Sequence, residues 1–84
     1  MLSEHLKNRL HHAGLNSAEV DLLYQALQRA EDLALKLDAS RCTRSLLHAA
    51  QGGDSLALKL SSLPSSDPSL RQAVLAYGHL HAPQ

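Results

Sequence analysis

The apolar side chains of this sequence are almost all leucine and alanine, and this narrow choice constrains the fold more than any motif does. Phenylalanine, tryptophan and isoleucine are absent, and aromatic residues make up 2% of the 84 residues. Leucine and alanine favour helices, whereas strands are enriched in β-branched and aromatic residues. We therefore predict an all-α fold: a small bundle of four to five short helices, arranged as stacked helical hairpins around a central helix near residues 17–37.

Capping residues and glycines predict where the helices begin and end. Asn16 followed by Glu19 is typical of a capping box, and Gly14 stands where a preceding helix would end in a left-handed residue. The expected N-caps of the other helices are Ser3, Asp38 or Ser40, Asp54 and Asp67. The predicted helices cover about 3–13, 17–37, 38–50, 54–63 and 68–80. We expect one helical domain over residues 1–81 and a frayed tail at 82–84.

The second of these helices carries more apolar surface than one core-facing stripe requires. Its apolar side chains cover roughly 220° of the helix, about twice the width that faces a single core. We expect this helix to be covered on two flanks, the second by the chain's own helices or by another chain. Glu31 is the one charged residue on the apolar arc, and with Tyr24 and Leu35 it forms the expected partner-binding site.

Charge and composition argue against several classes of function. Eight basic and eight acidic residues give no net charge, so the long-range attraction that drives nucleic-acid binding is absent. The apolar runs are too short for a membrane span, and the N-terminal residues lack the apolar segment of a signal peptide. A single cysteine, Cys42, excludes an internal disulfide and favours a reducing compartment. We therefore expect a cytoplasmic protein that binds neither nucleic acid nor a membrane.

The stretch GGDSL (52–56) is the part of the chain that most suggests chemistry. Followed by an apolar helix, it is similar to the attachment motif of acyl and peptidyl carrier proteins. That resemblance implies a phosphopantetheine arm joined to Ser55 through a phosphodiester at a helix N-terminus. The same residues are typical of helix punctuation, in which Gly52 and Gly53 end one helix and Asp54 caps the next. We favour punctuation, with a carrier protein as the alternative.

Other residues lack the spacing of a catalytic or metal site. The pairs His11–His12 and His79–His81 do not have the i, i+4 spacing that places two imidazoles on one helical face. Cys42 falls on the inward face of its helix, and no histidine is placed by sequence to activate it. We therefore expect no catalytic residue, no metal site and no cofactor.

These expectations favour a small non-catalytic protein–protein interaction module, such as an adaptor, a regulator or a chaperone-like protein. Its partner is another protein or a second copy of itself, so we expect an oligomer or a complex. Arg41, Arg44 and His48 form a basic strip that can dock an acidic partner or a phosphate. The turn in LPSSDPSLRQAVLAY (63–77) resembles the proline hairpin of type III secretion needle subunits, with one additional residue between the prolines. That resemblance implies an export chaperone or subunit as a further alternative.

Overall fold

A computed structural model describes residues 4–63 and 68–82, and every regular element in these ranges is an α-helix. The helices are α1 (Glu4–His12), α2 (Ser17–Asp32), α3 (Ala39–Gln51), α4 (Ser55–Ser61) and α5 (Pro68–Leu80). The predicted all-α bundle of short helices is therefore confirmed. The predicted caps Ser3 and Asp67 lie outside the described residues, as does most of the turn at 64–68. The resemblance to needle subunits consequently stays a prediction.

Side-chain caps define the start of three helices, at residues that the sequence predicts. Ahead of α2, Asn16 Oδ1 accepts a hydrogen bond from the Glu19 N–H at 2.9 Å, and Glu19 Oε1 accepts one from the Asn16 N–H at 2.9 Å. Asp38 caps α3 by accepting from the Arg41 N–H at 3.0 Å, and Asp54 caps α4 in the same way. Each cap satisfies a backbone N–H that has no partner within its helix.

One apolar core receives side chains from all five helices, and α5 lies at its centre. Helix α5 packs against α2, α3 and α4, whereas α2 packs most closely against α5 and α1. The central position that we predicted for the 17–37 helix is thus taken by α5. Leu75 is buried as well as Leu70, Ala73 and Tyr77, because α5 is covered on more than one face. Ala82, the first residue of the expected frayed tail, is also buried.

Helix α2 ends at Asp32, whereas the predicted helix continues to residue 37. Ala34 adopts a left-handed backbone conformation with φ of 51°. The Ala34 N–H bonds to the Glu31 carbonyl at 3.1 Å, and the Leu35 N–H bonds to the Ala30 carbonyl at 2.9 Å. This pattern is a Schellman motif, and it packs Leu35 against the core. The sequence does not reveal this end because alanine is the strongest helix former and rarely adopts the left-handed conformation.

Helices α3 and α5 approach each other at Gly78 so closely that a side chain there has no room. A Cβ atom on Gly78 would collide with the carbonyl oxygen of Cys42 and lie 3.0 Å from its carbonyl carbon. These atoms belong to the backbone of α3, so they cannot move aside as the end of a flexible side chain could. The missing side chain at Gly78 therefore sets the distance between α3 and α5.

Replacing Ala34 with glycine should stabilise the protein. A left-handed residue other than glycine costs about 1–2 kcal/mol, while glycine loses about 0.4–1 kcal/mol more conformational entropy on folding. We expect the free energy of unfolding, measured by urea denaturation, to rise by about 0.5–1 kcal/mol. The control is Ala18→Gly at an exposed position within α2, which should lower it by about 0.5–1 kcal/mol. A loss of stability in Ala34→Gly would contradict the left-handed end of α2.

Replacing Gly78 with alanine should destabilise the protein, although alanine is the better helix former. The added methyl group must push α3 and α5 apart, and overpacking of this kind costs about 1–3 kcal/mol. In Gly52→Ala, the matched control, the new Cβ would meet carbonyl oxygens only at 3.5 and 3.6 Å. We expect Gly52→Ala to change the free energy of unfolding by no more than about 0.5 kcal/mol. Equal stabilities of the two variants would mean that α3 and α5 do not touch at Gly78.

Candidate functional site

The three predicted partner-binding residues occupy different environments. Tyr24 is half-buried at the edge of the core, and Lys7 Nζ lies 5.7 Å from the centre of its ring, within the range of a cation–π contact. Glu31 is exposed on the last turn of α2. Leu35 is half-buried because the turn after α2 packs it against the core. Of the three residues, Tyr24 borders a groove at the surface. The role of all three in binding a partner stays a prediction.

This groove contains an exposed apolar surface, the leucine patch, formed by Leu22, Leu33 and Leu80. The three side chains keep 48%, 57% and 47% of their area exposed. Leu33 directly follows α2 and lies on the same side as Leu22, because eleven residues, about three helical turns, separate the two. Leu80 is the last residue of α5, which packs against α2. Together with the surrounding residues, they line a groove of about 620 Å³.

The wide apolar arc predicted for residues 17–37 includes two of these leucines, Leu22 and Leu33, and so indicated that they could be exposed. Leu23 and Ala26 are buried where α2 packs within the bundle, against α5 and α1, whereas Leu22 and Leu33 stay exposed. The second flank of α2 is therefore not fully covered by the chain's own helices.

The polar residues around the leucine patch include one cation and one carboxylate. Arg29 and Asp32 both line the groove, with Gln25 and Gln28 beside them. Asp32 Oδ1 accepts a hydrogen bond from Gln28 Nε2 at 3.0 Å. Arg29 forms no ion pair within the part of the chain that the structure describes. The patch thus presents an unpaired positive charge within one helical turn of a negative one.

A partly buried ion pair joins α4 to the start of α2. Lys59 Nζ lies 2.8 Å from Glu19 Oε1 and donates a second hydrogen bond to the Gly14 carbonyl at 3.1 Å. Glu19 is only 8% exposed. The hydrogen bond from Lys59, followed by that from the Asn16 N–H, holds the pKa of Glu19 below its ordinary value, against the opposing effect of burial. The carboxylate of Glu19 therefore remains charged and paired in the folded protein.

A second polar cluster joins α4 to the end of α5. Asp54 Oδ2 accepts a hydrogen bond from the Tyr77 hydroxyl at 2.8 Å and lies 3.4 Å from His81 Nε2. Burial by itself raises the pKa of Asp54, but hydrogen bonds from the Ala57 N–H and the Tyr77 hydroxyl outweigh it and lower this pKa. Burial and the Asp54 carboxylate raise the pKa of Tyr77, so its hydroxyl keeps its proton as a donor. Helix α4 has seven residues, too few to be stable alone, and these contacts hold it in place.

The GGDSL stretch has the local structure of helix punctuation, as predicted. Gly53 is left-handed with φ of 102°, and the Asp54 N–H bonds to the Ala49 carbonyl at 3.0 Å. Asp54 then caps α4, whose first residue is Ser55. Ser55 is exposed, as the resemblance to carrier proteins requires. Attachment of phosphopantetheine to Ser55 stays a prediction.

Other reactive groups are few in the described residues. Cys42 is buried, and burial raises the pKa of its thiol, so that it is a weak nucleophile. Within residues 4–63 and 68–82, no three His, Cys, Asp or Glu side chains come together in a group that could hold a metal ion. None of the helices in these ranges combines the length and apolar character needed to cross a membrane.

Similarity to known proteins gives no information on function. Comparison with known proteins found no matching family model, no matching curated protein and no matching solved structure. The function must therefore be inferred from the residues and their geometry.

Replacing Glu19 with glutamine should destabilise the protein at neutral pH and flatten its response to acid. Because the pKa of Glu19 is lowered by folding, its charged form stabilises the fold above the ordinary carboxyl pKa, and this contribution disappears as the pH falls below about 4. We expect the melting temperature of the unmodified protein to fall more steeply than that of Glu19→Gln between about pH 4 and pH 2. Glu31→Gln, at an exposed position on the same helix, is the matched control. Parallel acid profiles for Glu19→Gln and the unmodified protein would contradict the ion pair.

Proposed function

We propose that this chain is a small non-catalytic protein–protein interaction module of the cytoplasm, which binds its partner through the leucine patch. The observation that carries the proposal is the convergence of Leu22, Leu33 and Leu80, from two helices, on one groove. Single exposed leucines are ordinary on protein surfaces, whereas a contiguous apolar surface is typical of an interaction site. The free, buried thiol of Cys42 is consistent with a reducing compartment.

The composition of the groove also suits an interface. Burial of the three leucines would supply the driving force, at about 25 cal/mol for each Å² of apolar area removed from water. The charged and amide side chains beside them provide a polar rim, and Tyr24 adds an aromatic ring at the edge. Glu31 and Leu35, the other predicted contact residues, follow near the end of α2.

A second copy of the chain is the first partner to test. Arg29 and Asp32 lie within one helical turn of each other on the leucine patch. A two-fold axis between them would bring Arg29 of each copy beside Asp32 of the other, so the patch is complementary to itself in charge. Three leucines supply much less than the ~800 Å² that each partner buries in a stable interface. We therefore expect a weak dimer, with a dissociation constant in the micromolar range or above.

A weak contact of this kind suits an adaptor or a chaperone-like protein. The apolar segment of another protein could displace the second copy, because both would bury the same leucines. In the absence of a partner, the second copy would then cover the leucine patch. A partner that binds more tightly would displace this copy and bind the patch.

Substitution of Leu33 with glutamate should abolish self-association. The new carboxylate would lie within the apolar part of the interface and would cost desolvation without gaining a partner. We expect the unmodified protein to show concentration-dependent dimerisation in sedimentation velocity, and Leu33→Glu to remain monomeric. Leu58→Glu is the matched control, because Leu58 is 59% exposed on α4 and lies outside the groove. Circular dichroism would verify that both variants keep the helical fold.

If the unmodified protein remains monomeric up to millimolar concentration, the partner is a different protein. A photo-crosslinking amino acid at position 33 should then join the chain to one discrete partner in the cells that produce it. The same group at position 58 should not do so. Crosslinking from both positions, or from neither, would contradict the leucine patch as the interaction site.

A further inference from the structure

A second groove, the basic groove, lies between α3 and the end of α5. It has a volume of about 530 Å³ and is lined by Arg41, Arg44, Ser45, His48 and His81. Four of these five side chains carry or can gain a positive charge, and none is acidic. The sequence indicates the strip on α3, but only the tertiary structure adds His81 and makes a concave site.

Several groups in the basic groove have no protein partner. Arg44 and His48 form no side-chain hydrogen bond or ion pair with any residue in the described ranges. Ser45 is only 9% exposed as a residue, and its hydroxyl has no hydrogen-bond partner in that part of the chain. No fully buried side-chain oxygen or nitrogen in the described residues lacks a partner, so the Ser45 hydroxyl is open to the solvent in the groove. The Ser45 hydroxyl and the unpaired Arg44 guanidinium line the same groove, so both can donate hydrogen bonds to one bound ligand.

His81 forms the wall opposite α3, and a carboxylate lies behind it. His81 Nε2 is 3.4 Å from Asp54 Oδ2. Asp54 does not line the groove, and its carboxylate already accepts hydrogen bonds from the Tyr77 hydroxyl and the Ala57 N–H. This contact orients the imidazole in the wall of the groove.

We propose that the basic groove binds the phosphate group of a small phosphorylated molecule. Arg44 can donate two parallel hydrogen bonds to phosphate oxygens, and the Ser45 hydroxyl and the His81 imidazole can donate to the others. The chain has no net charge, so its attraction for anions is local, which favours a small ligand over a nucleic acid. The groove is larger than a phosphate ion, and its volume falls within the roughly 300–1,000 Å³ of small-molecule sites. The proposal is independent of the leucine patch, which involves other residues.

Binding can be tested by titrating ¹⁵N-labelled protein with inorganic phosphate and with pyrophosphate at constant ionic strength. We expect saturable shifts in the backbone amide signals of residues 41–48 and 81, with pyrophosphate binding more tightly than phosphate. In Arg44→Gln the dissociation constant for pyrophosphate should rise by about tenfold or more, as for loss of a charged hydrogen-bond donor. Arg71→Gln, which removes the same charge from an exposed position outside the groove, should change it less than about twofold.

The variant Ser45→Ala distinguishes a role of this hydroxyl in ligand binding from a role in the stability of the fold. Because the Ser45 hydroxyl has no partner among the described residues, its removal should leave the melting temperature unchanged or raise it. The same variant should weaken pyrophosphate binding severalfold, since a donor to the phosphate is lost. If Ser45 had only a structural role, Ser45→Ala would have a lower melting temperature and unchanged pyrophosphate binding.

Three outcomes would overturn the proposal. The first is the absence of saturable shifts with both phosphate and pyrophosphate, and the second is an equal effect of Arg44→Gln and Arg71→Gln. The third is binding of another kind of ligand as tightly as pyrophosphate, or more tightly. Equally tight binding of succinate would indicate a general anion site. Much tighter binding of a short phosphoserine peptide than of pyrophosphate would indicate a phosphorylated protein instead of a small molecule.

Discussion

The backbone contact between Gly78 of α5 and Cys42 of α3 sets the spacing on which the remaining packing depends. With no side chain between the two helices, Cys42 is 1% exposed and α5 comes close enough to meet α2 and α4 as well. Tyr77, the neighbour of Gly78, is then in reach of Asp54 at the start of α4. A core of leucine and alanine contains few large side chains, so close backbone approach is the way in which it fills its volume.

The end of α5 brings together the two surfaces for which we propose a function. Leu80 belongs to the leucine patch, and the next residue, His81, belongs to the basic groove. Consecutive residues can serve two surfaces here because α5 ends at Leu80 and the chain turns at His81. A partner protein and a phosphorylated ligand would thus contact adjacent residues of the same short segment, so that each could influence the binding of the other.

Three helices end in the same Schellman motif, and they show how far local sequence reasoning reaches. After α1 and α3 the left-handed residue is Gly14 or Gly53, and both ends are predictable because glycine adopts this conformation without a steric cost. After α2 the same position is Ala34, in the sequence LALKL, where every residue favours a helix. Tertiary packing of Leu35 on the core outweighs that local preference. The end of α2 was therefore not predictable from capping signals.

The sequence by itself determined the elements: an all-α chain, the capping residues Asn16, Asp38 and Asp54, and an apolar arc on α2 too wide for one core. These features depend on backbone propensity and on hydrogen bonds between residues close in the chain. Only the tertiary structure decided that α5 lies at the centre, that part of the arc stays exposed, and that His81 meets the basic strip of α3. Such contacts join residues far apart in the chain, and their distances depend on how closely the helices pack, which helical periodicity does not encode.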